Sequence, residues 1–377
     1  MTDSRITDDA AAMRATEAEA LESEYGQPVA PSVPYDAILV VSFGGPEGMD
    51  DVLPFLENVL RGRNVPRERM LEVAHHYELF GGVSPINQQN RDLIASLRTL
   101  LNAYDINLPV YWGNRNWRPL LADTMREMAR DGIQHALAYI TSAYSSYSGC
   151  RQYLDDIERA RREVGADGIH APQVNALRKF YNHPDFILAN ASRVRAALKQ
   201  IPAPLRSQAV VVFTAHSIPL SMARASHYER QLHETARLVA EALKLSHWRL
   251  AYQSRSGPPA QPWLEPDICD TLRVLKSEGA EAVVIAPIGF LSDHVEVLYD
   301  LDVEARQVAD ELGLAMARAR TVGTHPAFVD MIRQLIVERI RPGTERRFLG
   351  PDGPSPDTCH GIDCCGIVLQ PDLASRQ

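Results

Sequence analysis

The sequence has no apolar run near the ~20 residues that a membrane-spanning helix needs, so we expect no transmembrane segment. Its first residues are polar and acidic, without a basic stretch or an apolar one. This argues against a secretory signal and predicts a cytoplasmic protein. Basic residues are outnumbered, with 39 Lys and Arg against 48 Asp and Glu, and the formal net charge is -9. An acidic chain has no overall attraction for nucleic acid, so an anionic ligand would need a local basic pocket.

Cysteine is also scarce, at five in 377 residues. In a long cytosolic chain this does not make a disulfide framework and favours metal binding or catalysis. Four thiolates suit a [2Fe–2S] cluster or Zn²⁺, and uncoordinated thiols are the remaining alternative. His360 could substitute for one ligand, and Cys269 is expected to be a buried thiol. The four candidate ligands are Cys150, Cys359, Cys364 and Cys365.

The length suits two domains of roughly 150 residues each. Short β-branched, apolar runs alternate with longer amphipathic segments, which predicts parallel sheets flanked by helices. The expected fold is α/β, with two Rossmann-like doubly wound domains at 35–180 and 181–345. An acidic, flexible tail at 1–34 precedes them, and a cysteine-containing tail at 346–377 follows. The predicted strands are 37–43, 108–112, 136–141, 209–214, 248–252, 282–287 and 315–319.

The two halves look like copies of each other. Polar clusters follow corresponding strands, and each half contains a His-Pro-x-Phe motif, at 183–186 and at 325–328. Chance similarity of βα units is the alternative to an internal duplication, which we favour. Ligands of such folds bind outside the carboxyl ends of the strands. We therefore expect a binding cleft between the two halves, with the helical stretch 48–101 forming one lip.

Two clusters could carry chemistry in this cleft. His216 follows a predicted strand and could bind a metal or accept a proton, or it could be a hydrogen-bonded structural histidine. A predicted helix, capped by Ser292 or Asp293 and running to 304, carries Glu296, Asp300 and Glu304 on one face because they are four residues apart. Such a ladder could conduct protons or divalent cations, or it could be a solvated acidic face.

Several motifs together resemble the ferrochelatase family. Residues 213–219 resemble its catalytic histidine motif, and 293–302 resemble its acidic helix. The stretches 81–86, 252–255 and 262–267 also match. The resemblance extends from about residue 36 to 341.

This resemblance implies roles for individual residues. His216 and Glu296 would bind the Fe²⁺ substrate and accept protons, while Asp300, Glu304, Asp293 and His294 would form a proton or metal relay. Some relatives have Tyr at the position of Phe43, which cannot bind iron. The residues expected to contact the porphyrin are Phe43, Arg61, Arg63, Ser84, Arg115 and Tyr147.

The resemblance is to the actinobacterial type, which carries a [2Fe–2S] cluster held by one central and three C-terminal cysteines. It implies that coproporphyrin III becomes coproheme III, with transient hand-over to a coproheme decarboxylase and a monomeric state. Three alternatives stay open. They are a protoporphyrin IX ferrochelatase, a cobalt or nickel chelatase of a sirohydrochlorin-like ring, and a non-catalytic two-domain binding protein.

Overall fold

Two four-stranded parallel sheets form the framework of the protein. The computed structural model describes residues 34–62, 65–257 and 260–357. In the first sheet the strand order is β2-β1-β3-β4, and in the second it is β6-β5-β7-β8. The strands are β1 (Ala37–Ser42), β2 (Val110–Asn114), β3 (His135–Ile140), β4 (Gln173–Ala176), β5 (Val210–His216), β6 (Trp248–Gln253), β7 (Ala282–Ala286) and β8 (Ala315–Arg318).

Helices connect the strands as right-handed parallel topology requires. Two short π-helices, Tyr147–Arg151 and Tyr299–Glu304, and a 3₁₀ turn, Arg206–Gln208, interrupt the α-helical pattern. The α-helices are α1 (Met49–Val59), α2 (Arg67–Glu78), α3 (Ile86–Ala103), α4 (Leu121–Arg130), α5 (Gln152–Ala166), α6 (Pro184–Leu198), α7 (Leu220–Arg224), α8 (Tyr228–Leu243), α9 (Ile268–Ser277), α10 (Val295–Leu298), α11 (Ala305–Glu311) and α12 (Pro326–Ile340).

The predicted α/β fold with two parallel sheets is confirmed. The seven predicted strands each overlap an observed one, and the two sheets share one strand order, as a duplication requires. The sequence missed β4, whose four residues read Gln-Val-Asn-Ala and are exposed or half-buried. A short polar edge strand lacks the buried apolar pattern by which strands are recognised.

A continuous core joins the two halves. One cluster of buried apolar side chains runs from Ile38 in β1 to Ile336 in α12 and includes residues of α3, α6 and α8. Two smaller clusters cover the outer faces of the two sheets. The two halves therefore share an inner helical layer. The predicted domain boundaries, 35–180 and 181–345, stay a prediction.

Buried polar contacts also fix the two halves to each other. The Tyr144 hydroxyl donates to the carbonyl oxygen of Ile288 at 2.9 Å. The Gln231 amide accepts from the Ser145 backbone N–H at 2.7 Å and donates to the Ser145 hydroxyl at 3.1 Å. Because these groups are buried, removal of one partner would leave the other unsatisfied at a cost of about 1–3 kcal/mol.

The chain after α12 returns to the first half. Arg178 pairs with Glu338, with both side chains almost fully buried, and donates to the carbonyl oxygen of Arg347. The Asn182 amide donates to the carbonyl oxygens of Leu349 and Gly353 at 3.1 and 2.9 Å. These bonds pin the segment 346–357 onto the loop 178–182. Of the predicted tails at 1–34 and 346–377, residues 1–33 and 358–377 lie outside the described residues.

Among the helices that the structure describes, none is long and apolar enough to cross a membrane.

The two His-Pro-x-Phe motifs perform the same structural role. His183 and His325 precede α6 and α12, and each ring Nδ1 accepts a hydrogen bond from the backbone N–H two residues on, at 3.2 and 3.3 Å. Burial lowers the pKa of both imidazoles, which leaves Nδ1 free to accept. The motif is therefore a duplicated helix cap, with proline in the first turn.

We predict that His325→Ala destabilises the protein by about 1 kcal/mol, the usual effect of losing an N-cap acceptor. His325→Asn should lose clearly less, because its side-chain oxygen can accept the same bond. The measurement is equilibrium unfolding in urea for both variants and the wild type. Equal destabilisation in the two variants would show that packing, and not capping, is the role of this ring.

Candidate active site

His216 ends strand β5, where parallel pairing with β6 and β7 brings loops of the second half together. Its ring Nδ1 lies 2.5 Å from the carbonyl oxygen of Ser217. A carbonyl only accepts, so Nδ1 carries the proton of the neutral ring. The other nitrogen, Nε2, is then an unprotonated lone pair available to a metal or a proton.

Glu296 faces this nitrogen. Its Oε2 lies 3.9 Å from Nε2 of His216 and 3.9 Å from Nδ1 of His294. The Glu296 side chain is 45% exposed and that of His216 is 33% exposed, so the group is open to solvent or ligand. Burial and the neighbouring His216 lower the pKa of His294. The structure thus brings together the imidazole and carboxylate that the sequence proposes as a pair.

The acidic helix differs from the prediction. It begins at Val295 after His294, with no side-chain cap, so the predicted capping by Ser292 or Asp293 is wrong. The Asp293 carboxylate instead accepts a hydrogen bond from Arg318. After α10 the chain widens into the π-helix Tyr299–Glu304 and returns to α-helix in α11. Sequence periodicity assumes one helical register and could not show this change.

Asp300 is the carboxyl with the largest change in proton affinity near the pair. It accepts hydrogen bonds from the Ser254 hydroxyl and from the Gln253 amide, the latter at 3.3 Å. Burial, aided by the charges of Glu296 and Glu304, raises the pKa of Asp300 to about 7 despite these two bonds. A carboxyl with this pKa can both take up and release a proton near neutral pH. Burial also raises the pKa of Glu304.

The lip helices pack directly against this acidic segment. Val295 belongs to the apolar cluster formed by Phe55, Tyr77 and other residues of α1 and α2. The His76 ring stacks on Tyr299, with centroids 3.6 Å apart and planes 10° from parallel. The sequence analysis did not select His76. The run of polar and aromatic residues 75–78, shortly before Gly81 and Gly82, was a signal that could have identified it.

Gly82 of the 81–86 motif has a packing role. A side chain on Gly82, which has φ +74°, would place its Cβ 2.5 Å from the Met49 backbone nitrogen. Only glycine permits this approach of the loop to the start of α1. Ser84 is buried beneath the same loop, and its backbone N–H donates to Pro46.

The proposed porphyrin contacts occupy different environments. Phe43, at the end of β1, is 37% exposed and contacts Phe55 edge-to-face. Arg61 is exposed after α1, Tyr147 is half-buried, and Arg63 lies outside the described residues. Arg115 is buried in an ion pair with Asp156. Its charge is already balanced, so its role towards a propionate stays a prediction.

Two of the five cysteines lie in the described part of the chain, and both are free thiols. Cys150 is buried within the first π-helix, whereas Cys269 is half-buried at the start of α9. Partial burial raises the pKa of Cys269 to about 12. The residue is half-buried and not fully buried as predicted. Cys359, Cys364, Cys365 and His360 lie outside the described residues. In the part of the chain that the structure describes, no group of three or more His, Cys, Asp or Glu residues is arranged to hold a metal ion.

Two parallel sheets, with an imidazole at the end of β5 and a carboxylate on α10, define an α/β protein with a site suited to binding a metal or accepting a proton. A comparison with known families matches residues 35–340 to the family described as Ferrochelatase. The chain belongs to the ferrochelatase family, and the predicted enzyme class, a metal chelatase, is confirmed.

Named relatives agree with this membership. A "Ferrochelatase" from Rhodopirellula baltica is 57% identical, over 88% of this chain and 93% of that protein. Two proteins named "Coproporphyrin III ferrochelatase" are each 50% identical. The one from Streptomyces griseus matches 88% of this chain and 93% of its own length, and the one from Nocardia farcinica 90% and 99%.

One solved structure with a similar arrangement is that of SirB from Bacillus subtilis with Fe³⁺. It is 12% identical and covers 79% of this chain and 94% of SirB, with a TM-score of 0.49. The family assignment follows from the sequence relatives and not from this likeness.

We predict that Asp300→Asn stabilises the protein more at pH 8 than at pH 5. The pKa of Asp300 is about 7, against 3.8 for an ordinary aspartate. Between these values the folded protein binds a proton that the unfolded chain has released, so stability falls as the pH rises. Asparagine keeps the hydrogen bonds to Ser254 and Gln253 but does not titrate.

The measurement is the urea midpoint of both proteins from pH 5 to pH 8. A difference between them that does not change with pH would show that Asp300 has an ordinary pKa in the folded state. Asp310→Asn, an exposed aspartate further along in α11, is the control and should show no such trend.

Proposed function

We propose that this protein inserts Fe²⁺ into coproporphyrin III to give coproheme III in heme biosynthesis, and that His216 and Glu296 carry the reaction. The contact of 3.9 Å between His216 Nε2 and Glu296 Oε2 is the observation that supports these roles. The names of the Streptomyces and Nocardia relatives, at 50% identity over most of the chain, support coproporphyrin III as the substrate. Protoporphyrin IX is the alternative, because the Rhodopirellula relative is named only a ferrochelatase.

The reaction must dispose of two protons. Fe²⁺ replaces both pyrrole N–H protons of the ring, so a base must lie on one face of the macrocycle. His216 supplies it, since its proton on Nδ1 is held by Ser217 and Nε2 is free to accept. Glu296 then stabilises the imidazolium or takes the proton onward. Glu296 would replace water on the Fe²⁺ substrate, and Nε2 of His216 would do so only until it accepts a proton.

The carboxyls beyond the pair would take protons away from the ring. Asp300 lies four residues after Glu296, and its pKa of about 7 matches proton transfer near neutral pH. Glu304 lies four residues further on and is exposed, so it connects the series to solvent. Asp293 and His294 come just before Glu296, and burial lowers the pKa of His294.

The first half would supply the surface for the macrocycle. Phe43, Met49, Leu53 and Val83 are exposed apolar side chains around the end of β1 and the lip. Flat apolar rings favour such a surface, with a few polar groups for orientation. Arg61 and Arg63 are proposed to meet propionates at the mouth, with Ser84, Arg115 and Tyr147 as further contacts.

The test is an anaerobic insertion assay with Fe²⁺ and either coproporphyrin III or protoporphyrin IX. We expect repeated turnover with coproporphyrin III and much slower turnover with protoporphyrin IX. His216→Ala should abolish insertion while porphyrin binding, measured by fluorescence quenching, is kept. His247→Ala, a surface histidine remote from the cleft, is the control.

Other results would change the proposal in defined ways. A preference for protoporphyrin IX would replace the substrate but keep the chemistry. Near-normal turnover in His216→Ala would remove the central residue assignment. At most one metallated ring per protein would indicate a binding protein without catalysis, and activity only with Co²⁺ or Ni²⁺ on a sirohydrochlorin-like ring would indicate the other chelatase class.

We also propose a [2Fe–2S] cluster held by Cys150, Cys359, Cys364 and Cys365. Of these the structure describes Cys150, a buried thiol whose Sγ lies 3.8 Å from the carbonyl oxygen of Tyr144. The Lys179 ammonium donates to the carbonyl oxygen of Gly149, the neighbouring residue, at 2.6 Å. When bound, the group would add a covalent link between the tail and the first half.

The path of the C-terminal chain supports this assignment. The segment 346–357 is pinned to the loop 178–182, and Lys179 of that loop contacts the turn before Cys150. Asp357 at its end is held by Arg346. Cys359 follows two residues later, so the tail cysteines start from a segment already attached to the loop beside Cys150.

We predict that Cys150→Ser loses the cluster and lowers the melting temperature. The protein purified anaerobically should be coloured and contain about two irons and two sulfides per chain. Linking distant parts of a chain restricts the unfolded state, which is why loss of the link should destabilise the fold. Iron and sulfide analysis with thermal unfolding measures both effects, and Cys269→Ser is the matched control.

Two results would contradict this assignment. Zinc in place of iron and sulfide would exclude the cluster. Colour that survives in Cys150→Ser would exclude this ligand and direct attention to His360 or Cys269. The remaining proposals rest on the family resemblance: the protein acts as a cytoplasmic monomer and passes coproheme to a decarboxylase.

A further inference from the structure

Arg318 holds two aspartates that lie on either side of the proposed catalytic residues. It is the last residue of β8, the edge strand of the second sheet, and its side chain is 12% exposed. Its Nε and Nη2 donate to the two carboxylate oxygens of Asp302 at 2.6 and 2.8 Å. Its Nη1 donates to Asp293 at 3.0 Å. One guanidinium therefore links β8 to the segment 293–302 at both of its ends.

We propose that Arg318 is a positioning residue for metal insertion, which fixes the segment bearing His294, Glu296 and Asp300 against the sheet. This inference rests on the proposed function, because it assigns Arg318 a role in that reaction. Arg318 acts through the two aspartates and not on the substrate. Its planar fork suits this task, since two parallel bonds to one carboxylate set orientation as well as distance.

The segment 293–302, which Arg318 binds at both ends, is also attached to the first half of the chain. The backbone N–H of Asp293 donates to the Gln89 side-chain oxygen of α3 at 2.9 Å. Asp293 itself is 8% exposed, and its carboxylate accepts a hydrogen bond from Arg318. The start of the acidic segment is thus fixed between α3 of one half and β8 of the other.

The π-helix explains why the segment 293–302 needs to be held by Arg318. Residues Tyr299–Glu304 form hydrogen bonds with a wider spacing than an α-helix, an arrangement that is rare and usually short. Relaxation to α-helical spacing would shift the register by one residue, which turns later side chains by roughly 100°. Asp302 lies in the middle of the π-helix, so its bidentate pair with Arg318 resists this shift. Such a shift would also change the orientation of the Asp300 side chain relative to Glu296.

The experiment compares Arg318→Ala, Arg318→Lys and Asp302→Asn with the wild type. We expect kcat for Fe²⁺ insertion into coproporphyrin III to fall about 10- to 100-fold in both Arg318 variants, as misplacement of reacting groups commonly does. The KM for the porphyrin should change less than about twofold, because the apolar surface of the first half is untouched. Lysine should not rescue kcat, because it cannot make the bidentate pair.

Asp302→Asn keeps the inference testable if the Arg318 variants fold poorly, since Asp302 is 37% exposed. It should lower kcat less than Arg318→Ala does, and the double variant should be no slower than Arg318→Ala alone, because both remove the same interaction. Arg306→Ala is the matched control. Arg306 donates to Met316 of the same strand at 2.9 Å but does not bind either aspartate in the structure.

Hydrogen exchange gives a readout that does not require turnover. Amides of 293–304 should exchange faster in the Arg318 and Asp302 variants than in the wild type, and Arg306→Ala should leave them unchanged. Wild-type exchange and kcat in both Arg318→Lys and Asp302→Asn would overturn the inference, as would an equal loss of kcat in Arg306→Ala. If the wild type inserts no iron, the proposed function fails, and the exchange data alone decide whether Arg318 orders this segment.

Discussion

The close approach of β7 to the end of β5 is the constraint on which the site depends. Gly289, just after β7, donates its backbone N–H to the carbonyl oxygen of Thr214 in β5 at 3.0 Å. A Cβ on Gly289 would lie 2.5 Å from the Cβ of Ala215, so only glycine permits the loop to turn there. This turn carries the loop across the strand end where His216 lies. The contact between His216 and Glu296 follows from that crossing.

The two halves share a topology but not a chemistry. Both sheets have the same strand order, and both halves cap a helix with the same histidine motif. Yet the second half ends β5 in an imidazole, whereas the corresponding end of β1 leads to Phe43. The first half adds three helices between β1 and β2, and the first two of them, α1 and α2, pack against Val295 at the start of the acidic segment. The duplicated fold thus supplies reactive groups from one half and apolar surface from the other.

Charge is arranged unevenly along the acidic segment. Asp293 and Asp302 both pair with Arg318, whereas Asp300 has hydroxyl and amide partners, and the pKa of its carboxyl is raised to about 7. A carboxylate paired with arginine stays charged and fixes structure, while an unpaired buried carboxyl can hold a proton. Residues of the same type, only a few positions apart, therefore have different capacities because their surroundings differ.

The sequence by itself determined the fold class, seven of the eight strands, and His216 and Glu296 as the pair to examine. Buried parallel strands and residues at their carboxyl ends leave local patterns that a sequence reader can recognise. Only the tertiary structure decided that Asp293 binds Arg318 and caps no helix, that the acidic helix changes register at Tyr299, that Arg115 is already paired, and that His76 stacks on Tyr299. Each of these depends on a partner distant in sequence, and the environment that such partners create exists only in the folded chain.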